Sequence, residues 1–596
     1  MNSPPRLRFG LTVGVTGHRA ETFSDSGSAN LSRRLAENLK QIEKQARAVH
    51  AEERKFFTDE APAFTLVSPL ASGADQIAAA VAVEAGWSLQ AVLPMTRADY
   101  VRSMSSEEAS EVDRLSGLCC CVLELPGDPN DAEEAFVMAG RATVAHCDLL
   151  IAVWDGLPAR GRGGTADTVA LALTKGTPIL HLPVAPEDPS ALMWSAFDPV
   201  VITAPGDRAC RRRADDDALL HVLRALIAPP TPPIERKFIR RFYAERPHEF
   251  SLRFEYPLLL TLAGTHRLSS RDLRAKPKVE ASRAEWRSYR QCLLGQHGVD
   301  APLDWLQEAY EWSDRLATHF AQTYRSGHVF NFLLAALGAW IGLAGLILPA
   351  NPLPLAVAEF IVVLAVVVNT LTGSKRCWHQ RWLDYRQLAE RLRPMRSMKL
   401  LGIAAPDPPG SAAEPVARRW IDWYAASAWR TVGCPSGRLT ASELPRLAAS
   451  IAEREVGPQI AYNRRNAEQV GRFDRRLEVL ALLLFMSTLA VTACVVLGLE
   501  LSPELVTRYS SWITALSAGL PALGTAIFGI RVHGDYSALA ARSRSTAGLL
   551  ERIADDLRQS NSLPRVADLT EQAGRVMLAD LGEWRLVNEL HDLSLA

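Results

Sequence analysis

The sequence predicts an α/β domain with a mostly parallel, Rossmannoid sheet, followed by an α-helical membrane domain with four transmembrane helices. In the first third of the 596-residue chain, short β-branched apolar segments alternate with longer segments of helical spacing. This alternation is typical of a parallel sheet covered by helices. The second half contains four long segments almost without charge, each close to the roughly 20 residues that span a bilayer. A chain of this length is expected to hold three or four domains.

Six candidate strands alternate with four candidate helices before residue 184. The strands are predicted at residues 9–15, 64–68, 89–94, 121–125, 149–154 and 178–182. The helices are predicted at residues 74–85, 105–115, 132–146 and 165–175. Right-handed crossovers between such units give a doubly wound layer. We therefore expect a ligand crevice at the carboxyl ends of the strands.

The clearest domain boundary is a proline-rich segment, with four prolines between residues 229 and 233, which stops any helix. The predicted domains are residues 1–228 for the sheet domain, 229–327 for the linker and a helical coupler, 328–400 for the first transmembrane hairpin with a cytoplasmic helix, 401–470 for a cytoplasmic connector, and 471–596 for the second hairpin with C-terminal cytoplasmic helices.

The apolar segments form two predicted helical hairpins, at residues 329–348 with 353–371 and at 479–499 with 512–530. Residues 375–399 hold eight basic and two acidic residues, whereas the turn between the first two spans holds no charge. Basic residues stay on the cytoplasmic side of a membrane. We therefore expect both termini and residues 373–476 to be cytoplasmic.

Composition argues against several classes of function. The 66 basic residues balance the 66 acidic ones, so the chain has no overall positive charge to attract a nucleic-acid polymer. Its nine cysteines show no paired spacing of the kind that zinc sites and disulfide frameworks require. We expect reduced thiols, no metal site and no nucleic-acid polymer as a partner.

A short internal match follows the two hairpins. Residues 384–393 and 535–544 are identical at six of ten positions, and each segment comes just after a predicted membrane exit. A duplicated unit of hairpin plus cytoplasmic helix is the economical interpretation. The alternative is that two amphipathic juxtamembrane helices share common residues.

Three glycine-bearing loops at predicted strand ends carry the candidate ligand-binding residues. The first loop supplies Gly14, Thr16, Gly17, His18 and Arg19. The second loop supplies Ser72, Gly73, Ala74 and Asp75. The third loop supplies Trp154, Asp155, Gly156, Arg160, Arg162, Gly163, Gly164 and Thr165. Because all three follow strands of one sheet, together they predict a nucleotide site more strongly than any single loop does.

Each loop also has a purely structural interpretation. Glycines and a helix N-terminus suit a phosphate, and arginines add charge-assisted hydrogen bonds, but a tight turn with a solvated His18 explains the first loop equally well. Ser72 or Asp75 would cap the helix that follows the second loop. In the third loop Trp154 would stack on a base or simply pack, and Asp155 would accept a hydrogen bond from a ribose hydroxyl.

The motifs VGVTGHR at residues 13–19, SPLASGAD at 68–75 and LLIAVWDGLPARGRGGTAD at 149–167 resemble the SLOG family of Rossmannoid nucleotide-binding domains, which is related to the LOG phosphoribohydrolases. The resemblance covers about the first 200 residues. The duplicated hairpin-plus-helix unit resembles the SLATT effectors, which are two-helix membrane modules associated with nucleotide signalling systems.

These resemblances imply a bacterial immunity protein of the antiphage, abortive-infection type in the inner membrane. Its ligand would be a nucleotide-derived signal, with no further cofactor, and a homo-oligomer of its membrane helices would form a pore in the lipid bilayer. The alternatives are a membrane-anchored nucleotide hydrolase and a passive membrane scaffold. The LOG enzymes carry the motif GGxGTxxE, whereas Thr168 stands at the position of that glutamate here. This difference favours a sensor, although the neighbouring Asp167 is a substitute carboxylate.

Three residues within the predicted spans are further candidates. Glu359 is the only carboxylate inside an apolar segment, and charges at membrane depth are functional candidates. Since it lies near the outer end of its helix, snorkelling to the interface is the simpler interpretation. Asn369 near the inner end has the same two interpretations, and Pro521 is expected to kink the fourth span.

Overall fold

The computed structural model describes residues 3–159, 161–185, 187–197, 210–248, 253–268, 283–284, 286–287, 301–348, 352–406 and 418–588. Within these residues a nine-stranded sheet is followed by a helical C-terminal region, and that region also contributes one strand of the sheet. The strands are β1 (Gly10–Gly17), β2 (Ala63–Ser68), β3 (Ser88–Leu93), β4 (Cys119–Glu124), β5 (Leu149–Trp154), β6 (Ile179–Pro183), β7 (Ala191–Met193), β8 (Arg211–Arg213) and β9 (Gly437–Arg438).

Helices cover the sheet and build the rest of the chain. The helices that precede the proline-rich segment are α1 (Asp25–Glu53), α2 (Ala74–Glu84), α3 (Arg97–Arg102), α4 (Ser106–Leu118), α5 (Ala132–His146), α6 (Thr165–Thr174) and α7 (Asp216–Ile227). The later helices are α8 (Pro233–Tyr243), α9 (Glu255–Leu262), α10 (Ala301–Ile347), α11 (Pro352–Arg376), α12 (Trp378–Leu401), α13 (Trp420–Val432), α14 (Leu444–Ile451), α15 (Gly457–Leu501), α16 (Pro503–Arg508), α17 (Ser510–Gly534), α18 (Tyr536–Gln559) and α19 (Leu563–Asn588).

The sheet confirms the predicted Rossmannoid class. Its strand order is β8-β7-β6-β5-β1-β2-β3-β4-β9, and all neighbouring strands are parallel except at β7 and β8. The central strands carry apolar side chains on both faces of the sheet, and these side chains are buried. Val13 and Ile151, for example, are fully buried. Since the chain runs outward from β1 through β2 and β3 and then returns to β5, the switch point of the topology lies between β1 and β5.

The last strand of the sheet comes from outside the predicted sheet domain. Strand β9 lies within residues 401–470 and pairs in parallel with β4, with Gly437 opposite Leu123. Beside this pair, the Cys121 thiol donates to the carbonyl oxygen of Cys434 at 3.2 Å. The segment between the two hairpins therefore covers one edge of the sheet.

The four predicted membrane spans are confirmed as helices long and apolar enough to cross a bilayer. They lie in α10, α11, α15 and α17. Helix α11 packs on α10, α10 packs on α17, and α17 packs on α15. Among the spans that the structure describes, α11 and α15 each have one extensive partner, so the four helices form a row with α11 and α15 at its ends.

The C-terminal region contains two units of matching dimensions. Each unit has a long helix of 47 or 45 residues, a span helix of 25 residues and a following helix of 24 residues. A residue with left-handed backbone joins the last two helices in both units: Cys377 with φ 51° and Asp535 with φ 42°. This equivalence differs in register by seven residues from the ten-residue sequence match, which pairs Asp384 with Asp535. Asp384 instead lies buried inside α12.

Candidate functional site

The first and third loops meet at the switch point of the sheet. The backbone N–H of His18 donates to the carbonyl oxygen of Val153 at 3.2 Å. The N–H of Asp155 donates to His18 Nε2 at 3.2 Å, and this ring nitrogen lies 3.4 Å from the Asp155 carboxylate. Both side chains are about one-quarter exposed. His18 and Asp155 therefore lie together at the carboxyl ends of the neighbouring parallel strands β1 and β5.

The first and second loops also pack closely. The N–H of Ala74, at the start of α2, donates to the carbonyl oxygen of His18 at 3.1 Å. A Cβ on Gly73, whose φ is +102°, would lie 2.4 Å from the Ala20 nitrogen. A Cβ on Gly17 would lie 2.4 Å from the Ala74 Cβ. These two glycines are required by the approach of one loop to the other, and Arg19 is held beside them over the ring of Phe136, 5.7 Å from its centre.

Three residues assigned to the first loop lie within the sheet. These are Gly14, Thr16 and Gly17 of β1, which pair with Leu150, Ala152 and Val153 of β5. A Cβ on Gly14 would lie 2.9 Å from the Cys147 sulfur, so this glycine permits α5 to pack on the strand. The structure therefore places Gly14 below the crevice.

The second loop does not cap its helix with a side chain. The N-cap of α2 is Gly73, without a side-chain hydrogen bond. The Ser72 hydroxyl instead bonds the Glu108 carboxylate on α4, and hydrogen bonds from Ser72 and Ser105 lower the pKa of that carboxyl. Leu70 adopts a left-handed φ of 56° and is fully buried. Strain of this kind at a non-glycine residue concentrates at functional sites.

Asp75 and Tyr100 form an unusual buried pair behind the second loop. Asp75 is 4% exposed and Tyr100 is fully buried. Asp75 Oδ1 and the Tyr100 hydroxyl have no hydrogen-bond partner among the described residues. Burial raises the pKa of Asp75 to about 8, against a hydrogen bond from the Ala71 backbone that lowers it. At neutral pH Asp75 is therefore mostly uncharged, and it adds little repulsion to an anion in the crevice.

In the third loop, a carboxylate of the chain itself already binds the glycine backbone, here called the glycine cradle (Gly163 and Gly164). The N–H of Gly163 donates to Asp167 Oδ2 at 2.8 Å, and Arg162 pairs with Glu134 of α5 at 2.9 Å. Gly164 is the N-cap of α6, and Thr165 is its first residue. Because these groups are already satisfied, a ligand phosphate at this cradle has to displace the Asp167 carboxylate. Arg160 lies outside the described residues.

The aromatic end of the third loop is held by internal contacts. Trp154 Nε1 donates to the carbonyl oxygen of Leu157 at 2.9 Å, and its ring lies edge to face with His181, 5.6 Å between centres. The indole is partly buried, which fits the packing interpretation. Gly156 has a φ of +81° with open space at its Cβ position, so the backbone turns outward beside Asp155.

Thr168 faces away from the crevice. Its side chain is 6% exposed, and its hydroxyl oxygen would lie 2.7 Å from a Cβ built on Gly140 of α5. Its hydroxyl also donates to the Gly164 carbonyl at 3.3 Å. A glutamate at residue 168 would therefore point into the α5–α6 contact in this structure rather than toward a ligand.

Sequence reasoning did not identify Tyr100, Glu108 or Phe136 as part of the site. They lie on α3, α4 and α5, far along the chain from the glycine loops. One signal was present: Ser105 and Glu108 have capping-box spacing, and the structure contains that box. It predicts a helix start but not the additional bond between Glu108 and Ser72.

Among the contacts that join the sheet domain to the later helices, one centres on Glu571 and another on Lys399. Glu571 on α19 is buried and pairs with Lys175 at 2.7 Å, immediately after α6. Arg141 of α5 reaches the same carboxylate at 3.1 Å. The helix that begins at the third loop is therefore joined at its other end to α19 by an ion pair.

The second connection surrounds Lys399 near the end of α12. Its ammonium nitrogen lies 3.2 Å from His146 Nδ1 and 3.5 Å from the centre of the Trp429 ring, and it donates to the carbonyl oxygen of Gly433. Lys399 is 2% exposed, and burial lowers its pKa to about 7. His146 ends α5, whereas Lys399 belongs to the helix that follows the first hairpin.

The three candidates in the spans have different surroundings. Glu359 is exposed on α11 and faces Gly342 of α10, where a Cβ would lie 3.8 Å from its carboxylate oxygens. Asn369 is buried and donates to Asn331 Oδ1 at 2.8 Å and to the Gly327 carbonyl at 3.1 Å, so it ties α11 to α10. Pro521 lies inside α17, whose helix continues through it.

The described residues contain no group of three or more histidine, cysteine, aspartate or glutamate side chains arranged to hold a metal ion. Comparison with known protein families and with curated protein sequences finds no match.

Proposed function

We propose that this protein is a nucleotide-sensing membrane effector of a bacterial antiphage, abortive-infection type system. The observation that carries the proposal is the meeting of three loops at the switch point of a parallel sheet, in one chain with four spans. In this proposal a nucleotide-derived ligand binds beside His18 and Asp155, and its binding changes the arrangement of the membrane helices in the inner membrane. A ligand has this effect only by preferring one of two arrangements.

Two features support assignment of the two regions to the SLOG and SLATT families. The glycine loops of the sheet domain pack on one another as parts of one site, and the helical units have the same helix lengths. The basic residues at 375–399 support cytoplasmic termini.

The row of spans supports a homo-oligomeric pore. Within the chain, the long helix α10 of the first unit packs on the short helix α17 of the second. The same type of contact between α15 of one chain and α11 of the next would join chains head to tail. Head-to-tail contacts close into rings, and the exposed Phe360 on α11 and Leu489 on α15 are available for that contact.

The orientation of Thr168 supports a sensor over a hydrolase. The threonine faces α5, and the Asp167 carboxylate is bonded to the Gly163 N–H, so neither supplies a free carboxylate to a ligand. One observation favours the second candidate function, a membrane-anchored nucleotide hydrolase. Asp75 lies buried beside the crevice with its pKa raised to about 8, and a carboxyl group that keeps its proton at neutral pH is suited to general acid catalysis.

A single binding experiment separates the candidates. Full-length protein in detergent is incubated with cyclic oligonucleotides, ADP-ribose derivatives and nucleoside monophosphates, its melting temperature is measured, and the recovered ligand is analysed by mass spectrometry. Intact recovery of a stabilising nucleotide, followed by nucleotide-dependent leakage of protein-containing liposomes, is the expected result. Recovery of a cleaved nucleotide identifies the hydrolase, and no stabilisation by any nucleotide contradicts both candidates.

A matched pair of variants tests the site. A Cβ at Gly164 meets no atom closer than 4.0 Å, and one at Gly117 on α4 meets none within 4 Å. Gly164→Glu therefore adds a carboxylate beside the third loop without a clash, and Gly117→Glu adds the same group elsewhere. We expect Gly164→Glu to abolish nucleotide stabilisation and Gly117→Glu to retain it. Equal stabilisation of both variants contradicts the site assignment.

A further inference from the structure

Helix α9 is an eight-residue helix packed at the base of the membrane spans. Its buried face carries Tyr256 and Leu260, each 9% exposed. They belong to one apolar cluster with Val329 of α10, Phe473 of α15 and Ile530 of α17. The N–H of residue 256 donates to Ser326 of α10 at 3.1 Å. Helix α9 therefore shares one apolar cluster with three of the four membrane-spanning helices and contacts α10 and α15 directly.

The residues that α9 contacts define its depth relative to the membrane. Val329 is the first residue of the first apolar segment and Ile530 is the last residue of the fourth. Phe473 precedes the third segment by about two turns of helix. All three positions lie at the same end of the four spans, which is the cytoplasmic end in the orientation proposed above. Helix α9 consequently lies at the level of the cytoplasmic membrane surface.

The opposite face of α9 is apolar and exposed. Phe254, Leu258 and Leu262 are 49%, 37% and 77% exposed. Their spacing of four residues places them on one side of the helix, away from Tyr256 and Leu260. An apolar stripe with this exposure is unfavourable in water. At the depth of α9, the acyl boundary of a bilayer is the adjacent apolar medium.

Basic side chains lie beyond the C-terminal end of α9 and on the helix α15 that packs against it. Arg267 is exposed just beyond α9, and Arg472, Arg475 and Arg476 are exposed at the cytoplasmic end of α15. Arg476 also donates to the carbonyl oxygen of Ala263, at the end of α9. Two nearby carboxylates are already paired, Glu255 with Arg253 at 2.9 Å and Glu478 with Arg531 at 3.0 Å. The surroundings of the stripe thus complement an anionic headgroup layer.

We propose that α9 is an interfacial helix that inserts Phe254, Leu258 and Leu262 into the cytoplasmic leaflet, with the adjacent arginines on anionic lipid headgroups. Interfacial helices have this division between an apolar face and basic flanks. The proposal does not depend on the ligand or on a pore, because it concerns a surface that meets lipid whenever the spans are inserted. It makes α9 a fifth membrane-contacting element, packed in one cluster with three of the other four.

The test is a photo-cross-linking experiment on the full-length protein. The amino acid p-benzoylphenylalanine replaces Leu262, and the protein is reconstituted in vesicles of phosphatidylcholine with phosphatidylglycerol and irradiated. The matched control replaces Leu118, which is 49% exposed on α4 of the sheet domain. A positive control replaces Leu364, which is 47% exposed on α11. Peptide mass spectrometry identifies lipid adducts, and gel electrophoresis identifies cross-linked chains.

We expect lipid adducts at residues 262 and 364 and none at 118. We also expect the adduct yield at residue 262 to fall when phosphatidylglycerol is replaced by phosphatidylcholine, while the yield at 364 stays constant. A cross-link from residue 262 to a second chain, without a lipid adduct, assigns the stripe to a protein interface and overturns the proposal. A yield at residue 262 as low as at 118 also overturns it, and equal yields with both lipids overturn the role of the arginines.

Discussion

Lys399→Met is expected to stabilise the protein at neutral pH and to lose most of this advantage in alkaline solution. Lys399 is buried without a carboxylate within ion-pair distance among the described residues; its ammonium group contacts Trp429, His146 and the Gly433 carbonyl. Burial lowers the pKa of this lysine from 10.5 to about 7. The folded protein therefore releases a proton that the unfolded chain retains, and stability rises with pH between about 7 and 10.5.

The magnitude follows from these two pKa values. Proton linkage gives a gain of about 2 kcal/mol for the wild type between pH 7 and pH 9. Methionine has a similar length and no charge, so its contribution does not change over this range. The stability difference between Lys399→Met and wild type should accordingly shrink by about 2 kcal/mol. The variant also loses the hydrogen bonds to His146 and Gly433, but that loss lowers its stability without producing this trend with pH.

Thermal unfolding of the full-length protein in detergent, followed at pH 7 and pH 9, measures this difference. Lys237→Met is the matched control, because Lys237 is exposed on α8; its difference from wild type should stay constant. Other groups that titrate in this range are present in all three proteins and cancel in the comparison. A Lys399→Met difference that is the same at both pH values refutes the assignment of a buried lysine with a lowered pKa.

Three further predictions concern the crevice, its connection to the helices and the spans. Burial raises the pKa of Asp75 from 3.8 to about 8, so the folded protein keeps a proton that the unfolded chain releases. In thermal unfolding, the stability of the wild type relative to Asp75→Asn should therefore fall as pH rises from 6 to 8.5, and a constant stability difference contradicts this. Glu571→Gln removes the buried charge 2.7 Å from Lys175, and we expect the free energy of unfolding to fall by on the order of 3 kcal/mol. Nucleotide binding should be retained and liposome leakage reduced; unchanged leakage argues against the proposed connection. Asn369→Leu leaves the Asn331 side-chain oxygen without the amide that donates to it. The free energy of unfolding in detergent should fall by about 1–3 kcal/mol, and a variant as stable as the wild type excludes a structural role for this hydrogen bond.

The sequence predicted the parts of the fold that depend on local periodicity. The strands from β1 to β6 are short apolar segments between turns and the four spans are long apolar segments, and both kinds are recognisable without knowledge of their neighbours. Strand β9 was not predicted because two residues, Gly437 and Arg438, have no periodicity of their own. They become a strand only because β4 presents a free edge to them.

The candidate site was predictable only at the level of loops. Strand order placed the first and third loops together, and His18 does contact Asp155. The motif could not reveal that Asp167 fills the glycine cradle, since that bond depends on a side-chain rotamer. Nor could it reveal that Gly14 serves α5 packing, because sequence gives the presence of a glycine but not the atom that approaches it.

The pairing of β4 with β9 also constrains how the chain is made. Gly437 is synthesised more than 300 residues after Leu123, its partner in the sheet, and only after the whole first hairpin. During translation the edge at β4 therefore stays uncovered until the first two spans have been synthesised. Exposed sheet edges promote aggregation, so the nascent chain carries an aggregation-prone edge throughout the synthesis of the first hairpin. Residues 1–228 produced alone would retain that open edge.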